Sequence, residues 1–180
     1  VSSASSVPIP STITVKNISN ADAVNAMLRD AVPPNTTYVA GSTTLNGATV
    51  PDVAGVSPLV NGLLINPPGN TTPGSMPADA SSNPANVATI TFNVVVNPNT
   101  PSGTLICNQS FVNASGSGIG DQPSDDPRTP AANDQTCDIV GNRPVLYAQK
   151  RVALLVDGGL PGIVDPGDVL RYTITVQNSS

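Results

Sequence analysis

The two ends of the chain carry near-copies of one strand. Residues 11–19 read STITVKNIS and residues 172–180 read YTITVQNSS. Thr12-Ile13-Thr14-Val15 matches Thr173-Ile174-Thr175-Val176, and Asn17 matches Asn178, 161 positions further on. Alternating Thr, Ile and Val is a strand signature, because β-branched side chains fit the pleated surface. A period of this length is the size of a domain, well beyond a solenoid repeat. The chain is therefore expected to be out of phase with its fold. It enters at the second strand of one β-sandwich, residues 1–145, which lacks a first strand of its own. It ends two strands into the next copy, residues 146–180.

The interior continues the strand pattern. Thr37 to Val39 follows the turn Pro33-Pro34-Asn35. Thr43 to Val50 contains Asn46-Gly47, a strong two-residue hairpin signal. Residues 58–65 form a further apolar run, and residues 66–86 read as a long Pro/Asn/Ser/Gly surface loop. In 87–96, VATITFNVVV, Ala88, Ile90, Phe92 and Val94 are expected on one face and Val87, Thr89, Thr91 and Asn93 on the other. Residues 103–113 are the next strand, 116–135 a loop, and Thr136 to Val140 the closing strand. Residues 21–30 have some helix propensity, but the nearby Pro33 and Pro34 and the neighbouring strands favour a strand. In the second copy, 146–156 (LYAQKRVALLV) is the leading strand and 157–167 a Gly/Pro turn. Residues 168–177 follow as the second strand, with Leu170, Tyr172, Ile174 and Val176 on one face.

Composition agrees with an all-β chain. Fifteen glycines and nineteen prolines disfavour long helices, and all twelve acidic residues are Asp, a turn residue, rather than the helix-favouring Glu. The net charge of −5 opposes binding to nucleic-acid phosphates and to anionic lipid. No apolar run has the length of a membrane-spanning helix. Neither a signal peptide nor an initiator Met is seen, as expected of a processed chain or a piece of a longer one. Cys107 and Cys137 flank an Asp-rich loop. A disulfide is preferred over two buried thiols and would place the protein in an oxidising compartment. Asn-x-Ser/Thr triplets occur at Asn17, Asn35, Asn70, Asn108, Asn113 and Asn178, as an Asn- and Thr-rich chain produces by chance.

The order of several phrases resembles the DUF11-type conserved repeat of large bacterial and archaeal surface proteins. Asp165-Pro166-Gly167-Asp168 followed by Tyr172 to Val176 and Asn178 is similar to its opening phrase. Ala21-Asp22-Ala23 through Asp30, then Pro34, Thr37-Tyr38-Val39 and Gly41-Ser42, resembles the next. Asn108 with Val112, Ser124-Asp125-Asp126-Pro127 and Asp134 resembles the closing one. The resemblance covers most of the chain, least across residues 50–86. The cysteine pair and the 21–30 segment depart from it. It implies an Ig-like β-sandwich strung in tandem, with a structural or adhesive role and no established enzymatic activity.

Candidate chemistry is sparse. There is no His, Glu or Trp, so a Ser or Cys nucleophile has no His partner and no Glu carboxylate pair exists. An enzyme is not expected. Asp121, Asp125, Asp126 and Asp134 share one loop and are candidate calcium ligands, since hard cations take several oxygens. A solvated loop held by Asx turns is the competing reading. Asp157, Asp165 and Asp168 form a second cluster, for which turn roles are favoured. Lys150, Asn108 and Asp30 occupy positions suited to a lysine–asparagine cross-link assisted by a carboxylate, against the plainer reading of Lys150 as a snorkelling surface side chain.

A sandwich without its edge strand exposes unpaired backbone groups, which an extended segment fills by β-augmentation. The tail, with Lys150, Val152, Leu154 and Val156, is the candidate donor strand. It either folds back onto its own sandwich, enters the next subunit, or simply continues a tandem array. The expected function is a subunit or repeat of an extracellular filament, stalk or cell-surface fibre, its partners identical subunits or adjacent repeats. The alternative is a calcium-dependent adhesin or ligand-binding module, though aromatic platforms for sugars are scarce.

Overall fold

The computed structural model describes residues 7–79, 83–141 and 146–178, and the regular structure among them is almost entirely antiparallel β-strand. The first six residues, and residues 179 and 180 of the second Asn-x-Ser phrase, lie outside the described residues. The chain divides into two compact units, Val1–Val140 and Gly141–Ser180.

In the first unit, β1 (Ile9–Lys16), β2 (Ala26–Arg29), β3 (Thr36–Tyr38), β4 (Thr44–Leu45) and β5 (Ala48–Thr49) precede a single-turn helix α1 (Pro58–Asn61). Then come β6 (Leu63–Leu64), β7 (Val87–Val96), β8 (Leu105–Asn108), β9 (Phe111–Ala114), β10 (Ile119–Pro123) and β11 (Thr136–Ile139). One sheet has the order β1-β7-β4-β5, with β3 also paired to β7; the other runs β10-β9-β2-β6. The strands β8 and β11 form a separate two-stranded ribbon.

Strand β7 organises the core. Ala88, Ile90, Phe92 and Val94 are buried in strict alternation, the face predicted from period two. They join Ala26 and Leu28 of β2, Ala114 of β9, Leu59, Ile65 and Met76 in one cluster, with Ile13 and Val15 of β1 packed against it. Each large aliphatic side chain fully buried there contributes about 1.5–3 kcal/mol. The β4–β5 hairpin turns at Asn46 and Gly47, with φ of 51° and 82°, as a type I′ turn requires. Asn46 Oδ1 also accepts from Thr89 N–H (2.9 Å), so the turn is pinned to β7.

Four expectations are corrected. The apolar run 58–65 is not one strand: Ser57 caps a helical turn, Pro58 occupies its first position, and only Leu63–Leu64 pair with β2. Residues 103–113 split at Gln109-Ser110 into β8 and β9, which belong to different sheets. The segment 116–135 is not loop throughout, because Ile119–Pro123 form β10 on β9. Residues 66–86 are not merely surface: Pro67 and Met76 are buried, and Met76 bridges Ala23.

The second unit is a long hairpin, β12 (Leu146–Val156) paired with β13 (Val169–Asn178). Its register sets Lys150 opposite Ile174, Val152 opposite Tyr172 and Leu154 opposite Leu170. Tyr172, Ile174 and Val176 are all more than half exposed, so an apolar face stands open on this unit.

Candidate functional site

Asp30 follows directly on β2, whose inward positions are Ala26 and Leu28. Continuing that alternation turns Asp30 inward, and its residue exposure is 4 %. Its N–H donates to Leu59 O (3.0 Å). One carboxylate oxygen, Oδ2, accepts from Asn108 Nδ2 at 3.0 Å. The other, Oδ1, has no hydrogen-bond partner among the described residues. Burial pushes the Asp30 carboxyl up to about 6, and the Asn108 hydrogen bond opposes this only in part. Asn108 is the last residue of β8, opposite Thr136. The chain is fixed immediately after it: Gln109 Nε2 donates to Ser124 O (3.0 Å) and Asn133 O (2.7 Å), and Ser110 and Ser124 exchange hydrogen bonds. Two of the three residues suggested for a cross-link are therefore brought together. Lys150, the third, belongs to the second unit, with its ammonium 4.6 Å from the centre of the Tyr172 ring.

The outer edge of β1 is a second candidate feature of the first unit. Among the described residues, β1 pairs only with β7. The direction of its free groups follows from β7. Asn46 N–H donates to Thr89 O (2.7 Å) and Val39 N–H to Asn93 O (2.9 Å), so these β7 residues turn their backbone towards β3 and β4. Their opposite numbers on β1, Thr14 and Pro10, are then non-hydrogen-bonded pairs whose backbone groups face outward. Thr12 shares that phase. The edge offers a ladder of acceptors and donors interrupted at Pro10, which has no N–H.

Cys107 and Cys137 are opposite one another in the β8–β11 ribbon and are joined as a disulfide, with Cα atoms 4.1 Å apart. Each of the four Asp residues proposed for calcium accepts hydrogen bonds from protein groups. Asp121 stands on β10, paired with Arg29 and accepting from Asn113 Nδ2 (2.9 Å), and these hydrogen bonds hold its carboxyl below the usual range. Asp126 is buried and clasped by Arg128, whose Nε and Nη2 both donate to it. Arg128 also reaches Asp138 Oδ1 (2.9 Å) and Cys137 O (2.9 Å), tying the loop to the ribbon. Asp134 accepts from Thr129 Oγ1 (2.7 Å) and Asp126 N–H (3.1 Å), and Asp125 from Asn133 N–H (2.6 Å). Among the described residues no group of three or more His, Cys, Asp or Glu is arranged around a common cation position. In the second unit, Asp157, Asp165 and Asp168 accept from backbone N–H groups of Gly162, Leu160 and Gly158, the turn roles expected of them.

The roles of two residues escaped the sequence reading. Arg128 is the one cation inside the acidic loop, a signal that was present. Asn17 is the other: its Nδ2 donates to Ala21 O (2.8 Å) and Met76 O (2.9 Å), and its Oδ1 accepts from Ser19. The Asn-x-Ser triplet after β1 is thus a turn clamp. No family model, curated protein or solved structure matches this chain.

Proposed function

We propose that this chain is a structural repeat or subunit of an extracellular filament, stalk or surface fibre, with the first unit an Ig-like β-sandwich of the DUF11 type. Copies join head to tail, by strand complementation at the outer edge of β1 or by tandem linkage within a longer chain. The observation that carries this reading is the pairing of β12 with β13. Since β13 repeats β1 in sequence, that hairpin is a template for the strand that belongs beside β1. The exposed apolar face of the hairpin supports it, because monomers rarely leave such a face uncovered. The disulfide supports an oxidising location, and the absence of His and Glu speaks against catalysis of the common kinds.

Electron microscopy and light scattering on the purified chain test the reading. Filaments with a subunit-sized repeat are the expected result, and deletion of residues 146–180 should abolish them. Monodisperse single subunits at high concentration would sink it.

A further inference from the structure

We propose that Asp30 and Asn108 form an amide-bonding site that is completed by Lys150 of a second copy of this chain, which becomes joined through Nζ to Asn108 Cγ. The inference rests on the strand-complementation reading and adds a covalent step to it.

Three observations converge on it. First, Asp30 is a buried carboxyl with one oxygen on the Asn108 amide nitrogen and the other without a partner among the described residues. A buried acceptor left empty is costly, and a buried carboxylate calls for a cation. The buried acids of the first unit, among the described residues, are Asp30 and Asp126, and Arg128 already serves Asp126.

Second, the register supplies the cation. Lys150 lies opposite Ile174, and the sequence repeat equates Ile174 with Ile13. Residues directly opposite across an antiparallel pair share a face. Ile13 packs against the core, so a strand in the β12 register beside β1 directs its lysine inward, over that core. Val152 and Leu154 then fall opposite Ser11 and Ile9 on the same face.

Third, the exchange is nearly like for like in the backbone but not for the lysine. The four residues Thr-Ile-Thr-Val are identical in β1 and β13, so the ladder is re-formed apart from the N–H missing at Pro10. In the free hairpin the Lys150 ammonium rests on Tyr172. The counterpart of Tyr172 in β1 is Ser11, which has no ring to hold it.

The chemistry balances without an oxidant. Asp30 Oδ1 takes a proton from the arriving ammonium, leaving Nζ with its lone pair. Nζ attacks Asn108 Cγ, and the new Cγ–Nζ bond forms as Cγ–Nδ2 breaks. The protonated Oδ1 returns that proton to the departing nitrogen. The carboxylate so re-formed, still hydrogen-bonded to Nδ2 through Oδ2, relays the second Nζ proton to the same nitrogen, which leaves as ammonium. One ammonium and one primary amide become one secondary amide and one ammonium ion. Asp30 is regenerated, a general acid and base of the kind that contributes about 100-fold or more to a rate.

The test uses the full chain, concentrated and then analysed under denaturing and reducing conditions, so that the disulfide is removed from consideration. The expected result is a ladder of covalent oligomers. Tryptic mapping should find Lys150 joined to Asn108, with one ammonia lost per junction. Lys150→Arg and Asn108→Ala should each abolish the ladder. Asp30→Asn, a near-isosteric change, should slow the ladder about 100-fold or more. A synthetic peptide of residues 146–156 added to the Lys150→Arg chain should give a single adduct at Asn108. Assemblies that fall apart to unmodified chains on the denaturing gel overturn the amide and leave the filament reading standing. A Lys150–Asn108 bond within one monomer overturns the assignment to a second copy. No association with either chain or peptide sinks the complementation reading, and the amide with it.

Discussion

Asp30 sets a pH dependence with an unusual direction for a carboxylate. Its folded-state value, about 6, lies above the ordinary 3.8, so between those values the folded protein binds the extra proton. Stability from this group is complete below pH 4 and is lost as pH rises through about 6. Asp126, Asp134 and Asp168 act oppositely: hydrogen bonds from Arg128, Thr129 and the Asp165 N–H respectively hold them below the usual range. Their contribution is present at neutral pH and is lost as pH falls through the lowered values. Asp30→Asn should therefore stabilise the first unit at pH 8, by up to about 3 kcal/mol for the rise from 3.8 to about 6, and should make little difference at pH 4. Urea unfolding at the two pH values checks this; an equal effect at both would refute the assignment. Asp30 and Asn108 could be picked from the sequence as strand-end polar residues. The empty oxygen could not, because it depends on what α1, β2 and β8 jointly exclude. In the acidic loop, spacing along the chain counts carboxylates but does not show the hydrogen bonds that Arg128, Thr129 and the backbone N–H groups make to them.

At the scale of elements, period and turn chemistry were the readable signals. The alternation in 87–96 gave β7 and its inward face, and Asn46-Gly47 gave the β4–β5 turn, because both are local properties. The misassigned elements are those whose structure is imposed from a distance. Ser57-Pro58 begins a helical turn within an apolar run that periodicity alone cannot distinguish from a strand. The strand β10, in a Gly- and Asp-rich stretch, has weak strand propensity and exists because β9 presents an edge to it. The split of 103–113 at Gln109-Ser110 sends β8 to the disulfide ribbon and β9 to the sheet, a division that the ribbon's cross-link stabilises. That cross-link closes a loop with a sequence separation of 30. In the chain-entropy account its removal costs about 3.5 kcal/mol. The Cys107→Ser, Cys137→Ser double variant should show this loss in urea unfolding of the first unit. It should also raise the susceptibility of the 124–135 loop to proteolysis; a variant as stable as the parent would mean that Arg128 and the Gln109 contacts alone hold the ribbon.

For the whole molecule, the same four residues appear in two environments, and the difference between them measures what each unit lacks. In β1, Ile13 and Val15 are packed against a shared core of two sheets. In β13, Ile174 and Val176 are 65 % and 63 % exposed. Identical sequence in a finished and an unfinished setting implies that the hairpin face is shaped for a covering it does not have within its own unit. Truncation should separate the cases. Ile13→Ala removes buried methyl groups from the first unit and should cost about 2 kcal/mol, read as a lower denaturant midpoint at unchanged slope. Ile174→Ala in the dilute monomeric chain should change that transition by less than about 0.5 kcal/mol. Under conditions where chains associate, the same Ile174→Ala variant reports on the covering itself. If the face is buried by assembly, the variant weakens association while leaving the folding of the first unit untouched. If association is indifferent to it, contact between copies runs through the edge of β1 alone, and the apolar face is completed by chain that belongs to the same repeat.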